Sequence, residues 1–255
     1  MIVDGYAHCG VSKYQPVEVV LDVMNKTGVD RALLCQHLGE YDNNYLAEVV
    51  RRYSERFAAV CLVDPAEADS LERLKYWHKT GQFKGVRLLA EWMEPYFPLW
   101  GEAAQLGLNL LVYAPNGIAE AVPTVRRLLM EYPNGRIVIS HLGNPKLVGG
   151  DRVEGSEIFQ LDQLDGVFVL ISGLSMFCPY PYLVLRPFIS EVVDRFASER
   201  LLWGSNFPVC GDKDAYLRDL TQLLEGDWGL GADEIQDLSG GTANRLWFGE
   251  DVRLR

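Results

Sequence analysis

His8, His141, Tyr6, Tyr113 and Asn206 are the side chains of this sequence best suited to chemistry. A histidine changes its protonation near neutral pH, so His8 and His141 can act as general base and matching acid. The phenols of Tyr6 and Tyr113 and the amide of Asn206 can donate hydrogen bonds to a developing oxyanion or enolate. Such a set suits proton transfer more than water activation. Arg87, in FKGVRL, is a candidate clamp for a substrate carboxylate, because a guanidinium binds a carboxylate through two parallel hydrogen bonds. Its alternative role is a salt bridge to Glu91 or to an acidic helix residue. Glu91, Ser172 and Phe177 complete the candidate substrate-binding residues. Phe177 belongs to the aromatic-rich stretch MFCPYPYL (176–183), expected as a lid or apolar wall against a flat or hydrophobic substrate. His37 is a weaker candidate, and His78, in KYWHK on a helix, is assigned no role.

These residues need a scaffold that brings distant segments together. Short apolar, β-branched runs recur at 2–7, 31–37, 57–64, 83–90, 108–114, 136–142, 167–173 and 201–207, each followed by a helical or looping stretch. Strands alternating with helices imply parallel pairing. Eight such units in 255 residues predict a closed α/β structure, a (β/α)8 TIM barrel spanning 1–255 as a single domain. An open doubly wound sheet is the alternative, but the first turn reads AHCGVSKY and lacks a Gly-rich phosphate loop. In a barrel, chemistry belongs to the carboxyl ends of the strands, where Tyr6, His8, Gln36, His37, Asp64, Arg87, Glu91, Tyr113, His141, Ser172 and Asn206 all fall. Alternation along a strand puts Tyr6 and His8 on one face with Asp4 deeper on it. The same rule pairs Ile139 with His141 and Gly204 with Asn206. The segment GGDRVEG (149–155) is expected as a mobile loop over the active face.

The motifs IVDGYAH, ISHLGNP, LLWGSNFP and GGTANRLWF resemble the amidohydrolase-related branch of the amidohydrolase superfamily. The resemblance runs from the first strand to the last helix and implies a TIM barrel. It further implies metal-assisted hydrolysis or non-oxidative decarboxylation, with a D-x-H-x-H first strand, histidines after strands 5 and 6, and a strand-8 Asp in G-S-D-x-P. Position by position, His8 matches the second histidine of the first-strand pair, and His141 matches the strand-6 histidine. Tyr6, Tyr113 and Asn206 stand where the family has His, His and Asp. A metal needs several imidazoles or carboxylates converging at about 2.0–2.2 Å, and neutral phenols and amides are poor replacements. The expectation is therefore no tightly bound metal and no cofactor. Loss of the strand-8 Asp also removes the family's usual proton acceptor for water, since an amide cannot take a proton at neutral pH.

Composition narrows the classes further. A formal charge of −11 with no Lys/Arg cluster speaks against nucleic acid, and no apolar run is long enough to span a membrane. No signal-like segment precedes the first strand, so a cytoplasmic location is expected. Five cysteines at scattered spacings read as reduced, mostly buried thiols, with Cys9 and Cys210 as bystanders. The partner expected is a small-molecule substrate, with homo-oligomerisation left open. The first reading is a metal-independent hydrolase of a small cyclic ester, lactone or amide. A lyase, isomerase or cyclase using the His/Tyr set, decarboxylases included, is the second, and a non-catalytic ligand-binding barrel the third.

Overall fold

The computed structural model describes residues 1–225 and 228–249. Eight parallel strands form one sheet in chain order. They are β1 (Val3–Ala7), β2 (Arg31–Cys35), β3 (Phe57–Leu62), β4 (Phe83–Leu89), β5 (Asn109–Tyr113) and β6 (Ile137–Ile139). After the hairpin of β7 (Lys146–Val148) and β8 (Arg152–Glu154) come β9 (Val167–Ser172) and β10 (Leu201–Gly204). The sheet's two edges meet just past β1 and β10. Ala7 bridges Phe207 in parallel, the Asn206 N–H donates to the Tyr6 carbonyl at 2.8 Å, and the His8 N–H donates to the Phe207 carbonyl at 2.8 Å. This closes the predicted barrel.

Alternation sorts each strand between two cores. Leu33, Cys35, Ala58, Val60, Leu111 and Leu170 fill the barrel's interior, while Ala32, Leu34, Ala59, Cys61, Val86 and Leu88 pack outward against helices. The helices between strands are α1 (Val17–Thr27), α2 (Asn44–Arg52), α3 (Ser70–Thr80), α4 (Phe97–Gln105), α5 (Val122–Glu131) and α6 (Arg186–Arg195). Three more, α7 (Lys213–Glu225), α8 (Ala232–Gln236) and α9 (Thr242–Phe248), follow β10. In α1 the buried face is Val17, Val20, Val23 and Met24, the spacing of one helical stripe, and left-handed Gly28 (φ 74°) ends the helix. Ala243, Leu246 and Trp247 of α9 join the interior cluster, and the Asn109 side-chain amide donates to the Leu246 carbonyl at 2.8 Å. The last helix thus plugs the amino end of the barrel and leaves the carboxyl end open.

Three local expectations are corrected. Asp4 does not share a face with Tyr6, because the β1–β2 register shifts between Asp4 and Ala7, and a bulged strand carries an extra residue. Val3 and Tyr6 both point inward. Asp4 instead accepts hydrogen bonds from the Ser205 N–H and hydroxyl and from the Tyr216 hydroxyl of α7. His141 does not continue the face of Ile139, since β6 ends there and the backbone turns left-handed at His141 (φ 52°) and Leu142 (φ 57°). Asn206 likewise leaves β10 at φ 56° rather than following Gly204. The 149–155 stretch is largely the turn and second strand of the β7–β8 hairpin, with left-handed Gly149 and Gly150 at its tip. The five cysteines are free and buried, as their spacing suggested.

Candidate active site

The open end of the barrel holds a cleft of about 190 Å³. On its floor lie Tyr6, His8, Arg87, Tyr113, His141 and Asn206. These were the sequence's five catalytic candidates and its carboxylate clamp. Their convergence follows from the closed sheet, which delivers β1, β4, β5 and the turns after β6 and β10 to one mouth.

His8 is fixed on three sides. Its Nδ1 lies 2.7 Å from the Cys35 carbonyl, Tyr14 stacks on the ring at 4.6 Å and 13°, and Tyr6 meets it edge-on at 5.1 Å. A carbonyl only accepts, so Nδ1 carries the proton and the lone pair sits on Nε2. Burial, and then the positive charge of Arg87, hold the His8 imidazole well below its ordinary protonation range. His141 is set by its left-handed turn, anchored where the Ser140 hydroxyl donates to the Val112 carbonyl at 2.9 Å. Its Nδ1 lies 2.8 Å from the Ser172 hydroxyl, and burial with the Arg87 charge pushes it down to about 3. Both imidazoles are neutral at physiological pH.

Arg87 dominates the electrostatics. It is buried, and its Nη1 donates to the Gln36 carbonyl at 2.7 Å. The Nε is buried with no hydrogen-bond partner. The guanidinium sits over the rings of Tyr6 (5.7 Å) and Tyr113 (5.6 Å). No carboxylate pairs with it among the described residues, so the alternative salt bridge to Glu91 is not formed. A buried cation without a counter-charge is costly and attracts an anion. The Tyr6 hydroxyl beside it is also buried without a partner, and burial raises its pKa so that it stays a protonated donor. Asn206 directs Nδ2 to the Met176 sulfur at 3.2 Å, a weak acceptor that a stronger one would displace.

The remaining substrate-binding candidates divide. Ser172 is buried and reaches the site through His141. Glu91 lies exposed in the one-turn helix Ala90–Trp92, where the chain turns away after β4, and does not line the cleft. Phe177 packs against the outer core, and within the 176–183 stretch it is Met176 that reaches the mouth. Sequence reasoning missed Lys13, Tyr14, Leu38 and Val209, which ring the entrance from loops after β1, β2 and β10. Loops carry no periodicity, so no sequence signal marked them. His37 meets the edge of Tyr14 at 5.7 Å and places its Nδ1 3.2 Å from the Leu38 carbonyl, outside the cleft lining, and His78 sits on α3.

The donor set does not fit a divalent ion. Among the described residues no three His, Cys, Asp or Glu side chains converge. The position matching the strand-8 carboxylate is an amide, and the Tyr6 phenol is protonated where a ligand would need to be ionised.

The model of the Amidohydrolase family matches residues 6–249. The L-fucono-1,5-lactonase of Burkholderia ambifaria is 28% identical over 239 residues, covering 87% of this chain and 81% of that protein. A Pseudomonas putida structure assigned as a 2-pyrone-4,6-dicarboxylic acid hydrolase superposes with a TM-score of 0.78 at 21% identity, covering 97% of each chain. The 5-carboxyvanillate decarboxylase of Novosphingobium aromaticivorans, solved with manganese, gives 0.62 at 17% identity, covering 91% of this chain and 80% of that one. With the matched model spanning the barrel from Tyr6 to Gly249, this chain belongs to the Amidohydrolase family.

Proposed function

We propose that this protein is a metal-independent hydrolase of a small, carboxylate-bearing cyclic ester or amide, with lactones foremost. The observation that carries the reading is the buried, unpaired Arg87 flanked by two neutral imidazoles at a barrel mouth. The lactonase relative supports the ester class. In this mechanism Arg87 takes the substrate carboxylate. Water attacks the ring carbonyl carbon while His8 Nε2 accepts its proton, and Tyr6 and Asn206 donate hydrogen bonds to the tetrahedral oxyanion. As the ring C–O bond breaks, the proton passes from His8 to the ring oxygen, so water is added across that bond and a hydroxy acid leaves. His141, held by Ser172, is the second imidazole at the water. Because the Arg87 charge is one cause of the depressed basicity of both histidines, pairing it with a carboxylate makes both stronger bases. The substrate thereby arms its own catalyst.

The test is a lactone panel assayed with metal-stripped protein and elemental analysis. Turnover that survives chelation is expected, and activity that tracks stoichiometric zinc or manganese sinks the metal-free part. A second reading, proton transfer without hydrolysis as in a lyase or decarboxylase, is favoured by the amide at Asn206, which cannot accept a proton from water. Asn206→Asp alone does not separate the two. In the hydrolase that His8 serves as base, the variant exchanges an oxyanion donor for a negative charge and loses activity. Turnover in ¹⁸O-water then decides the class, since hydrolysis places one labelled oxygen in the new carboxylate and proton transfer alone places none.

A further inference from the structure

We propose that Tyr216 of α7, acting through Asp4, is a positioning residue for the site. The pair holds Tyr6 and Asn206 in place, the two oxyanion donors of the hydrolase reading on which this inference rests.

The two donors have little direct support. The Tyr6 hydroxyl is buried with no hydrogen-bond partner, and the Asn206 Nδ2 is met by the weakly accepting Met176 sulfur at 3.2 Å. Asn206 moreover sits at φ 56°, a left-handed conformation that costs free energy in a residue other than glycine. Their placement therefore comes from the backbone on either side of them.

That backbone converges on one carboxylate. Asp4 Oδ1 accepts the Tyr6 N–H at 3.1 Å and the Ser205 N–H at 2.8 Å, and Oδ2 accepts the Ser205 hydroxyl at 2.5 Å and the Tyr216 hydroxyl at 2.9 Å. The Ser205 oxygen in turn accepts the Phe207 N–H at 2.9 Å, and the Asn206 N–H donates to the Tyr6 carbonyl at 2.8 Å. Asn206 is pinned through the residues before and after it, and Tyr6 through its N–H and its carbonyl. The seam has no slack, since a Cβ on Gly204 would lie 2.7 Å from the Tyr6 Cβ and 2.8 Å from its nitrogen. Tyr216 joins this network from outside the two strand ends. It is buried, and Trp203 and Phe207 meet its ring edge-on at 5.8 and 5.9 Å, which fixes where its hydroxyl stands.

Stability alone does not account for this carboxylate. Asp4 is fully buried and none of its four donors is a cation, an arrangement costlier than a neutral or apolar side chain in the same space. What it orders is the oxyanion side of the mouth. Preorganised donors stabilise a developing oxyanion because they need not reorient during the reaction. A hydroxyl on α7 that fixes the Asp4 carboxylate fixes both donors at once.

The test is Tyr216→Phe, which keeps the ring and removes one hydroxyl, beside Asp4→Asn. The pH is held above the value of about 6 to which burial lifts Asp4. Proton–nitrogen correlation spectra of the intact protein report the Asn206 side-chain amide, assigned by its loss in Asn206→Asp. The Asn109 amide at the far end of the barrel is the reference. Both variants are expected to displace the Asn206 signals and leave those of Asn109 in place. On a lactone from the panel they should lower kcat about tenfold or more with KM within about twofold, part of the roughly 10²–10³-fold that losing one oxyanion donor costs. On an Asn206→Ala background the Tyr216→Phe loss should shrink to about threefold or less, because the pair acts through that donor. Tyr216→Phe alone decides should Asp4→Asn fail to fold. Unmoved Asn206 signals, a rise in KM in place of the fall in kcat, or an undiminished loss on the Asn206→Ala background overturns the inference. Displaced Asn206 signals with no lactone opened by the wild type uphold the positioning and overturn the hydrolase reading.

Discussion

His8 shows how far a residue's role is set by its immediate contacts. The Cys35 carbonyl fixes its tautomer, and Tyr14 and Tyr6 fix its plane, so one nitrogen is left for chemistry. His8→Ala is expected to reduce kcat by roughly 10²–10⁴-fold, the usual worth of a positioned general base. Binding of a carboxylate ligand, which depends on Arg87, should change little. Equal loss of binding and turnover in a calorimetric and kinetic comparison would count against the base role. The pH profile gives an independent check. With His141 pushed down to about 3 and His8 well below 6.5, both bases are already unprotonated at neutral pH. The kcat/KM of the free enzyme should therefore be flat from about pH 6 to 8 and fall only on further acidification. An acid limb centred near the ordinary histidine value would place the working base elsewhere.

Single elements hold these residues in place, and they were unevenly legible in the sequence. Strand positions, the inward phase of Leu33, Val60 and Leu111, and the convergence of His8, Arg87 and Tyr113 all follow from alternation and barrel closure. The bulge that turns Asp4 outward and the left-handed turns at His141 and Asn206 do not, because they depend on neighbouring strands rather than on local pattern. Glu91 misses the mouth because the chain turns into the Ala90–Trp92 helix directly after β4. The Asp4 network can be tested through linkage. Burial pushes Asp4 up to about 6 from 3.8, against the hydrogen bonds it accepts from Ser205, Tyr6 and Tyr216. A carboxyl raised on folding stabilises fully below its unfolded value, and that contribution is lost as pH rises through the folded one. Asp4→Asn does not titrate. The melting-temperature lead of wild type over this variant should be largest near pH 4 and shrink towards pH 7, and a lead that grows with pH would contradict the raised pKa. Gly173 offers a second test. Its φ is 64°, and a Cβ there would lie 2.8 Å from His141 Nδ1 and 2.9 Å from the Met176 sulfur. Gly173→Ala should push His141 from Ser172 and lower activity, while the left-handed backbone adds roughly 1–2 kcal/mol of destabilisation.

At the scale of the whole molecule the barrel separates stability from chemistry along its axis. Its carboxyl end carries an unpaired cation, unpartnered polar atoms and left-handed turns, each of which costs free energy in the absence of a ligand. Its amino end is closed by α9, whose Trp247 is fully buried against the inward residues of the strands. That plug helps offset what the mouth costs. Trp247→Ala removes one of the largest buried side chains and opens a cavity at the end remote from the site. The expected loss is about 3–5 kcal/mol in denaturant unfolding, the range for truncating a buried aromatic. Because the strands still register against one another at the mouth, kcat/KM at a temperature where the variant is folded should stay close to wild type. A parallel collapse of activity in the folded variant would mean that the interior transmits the amino-end packing to Tyr6 and Arg87. The two halves of the barrel would then not be separable.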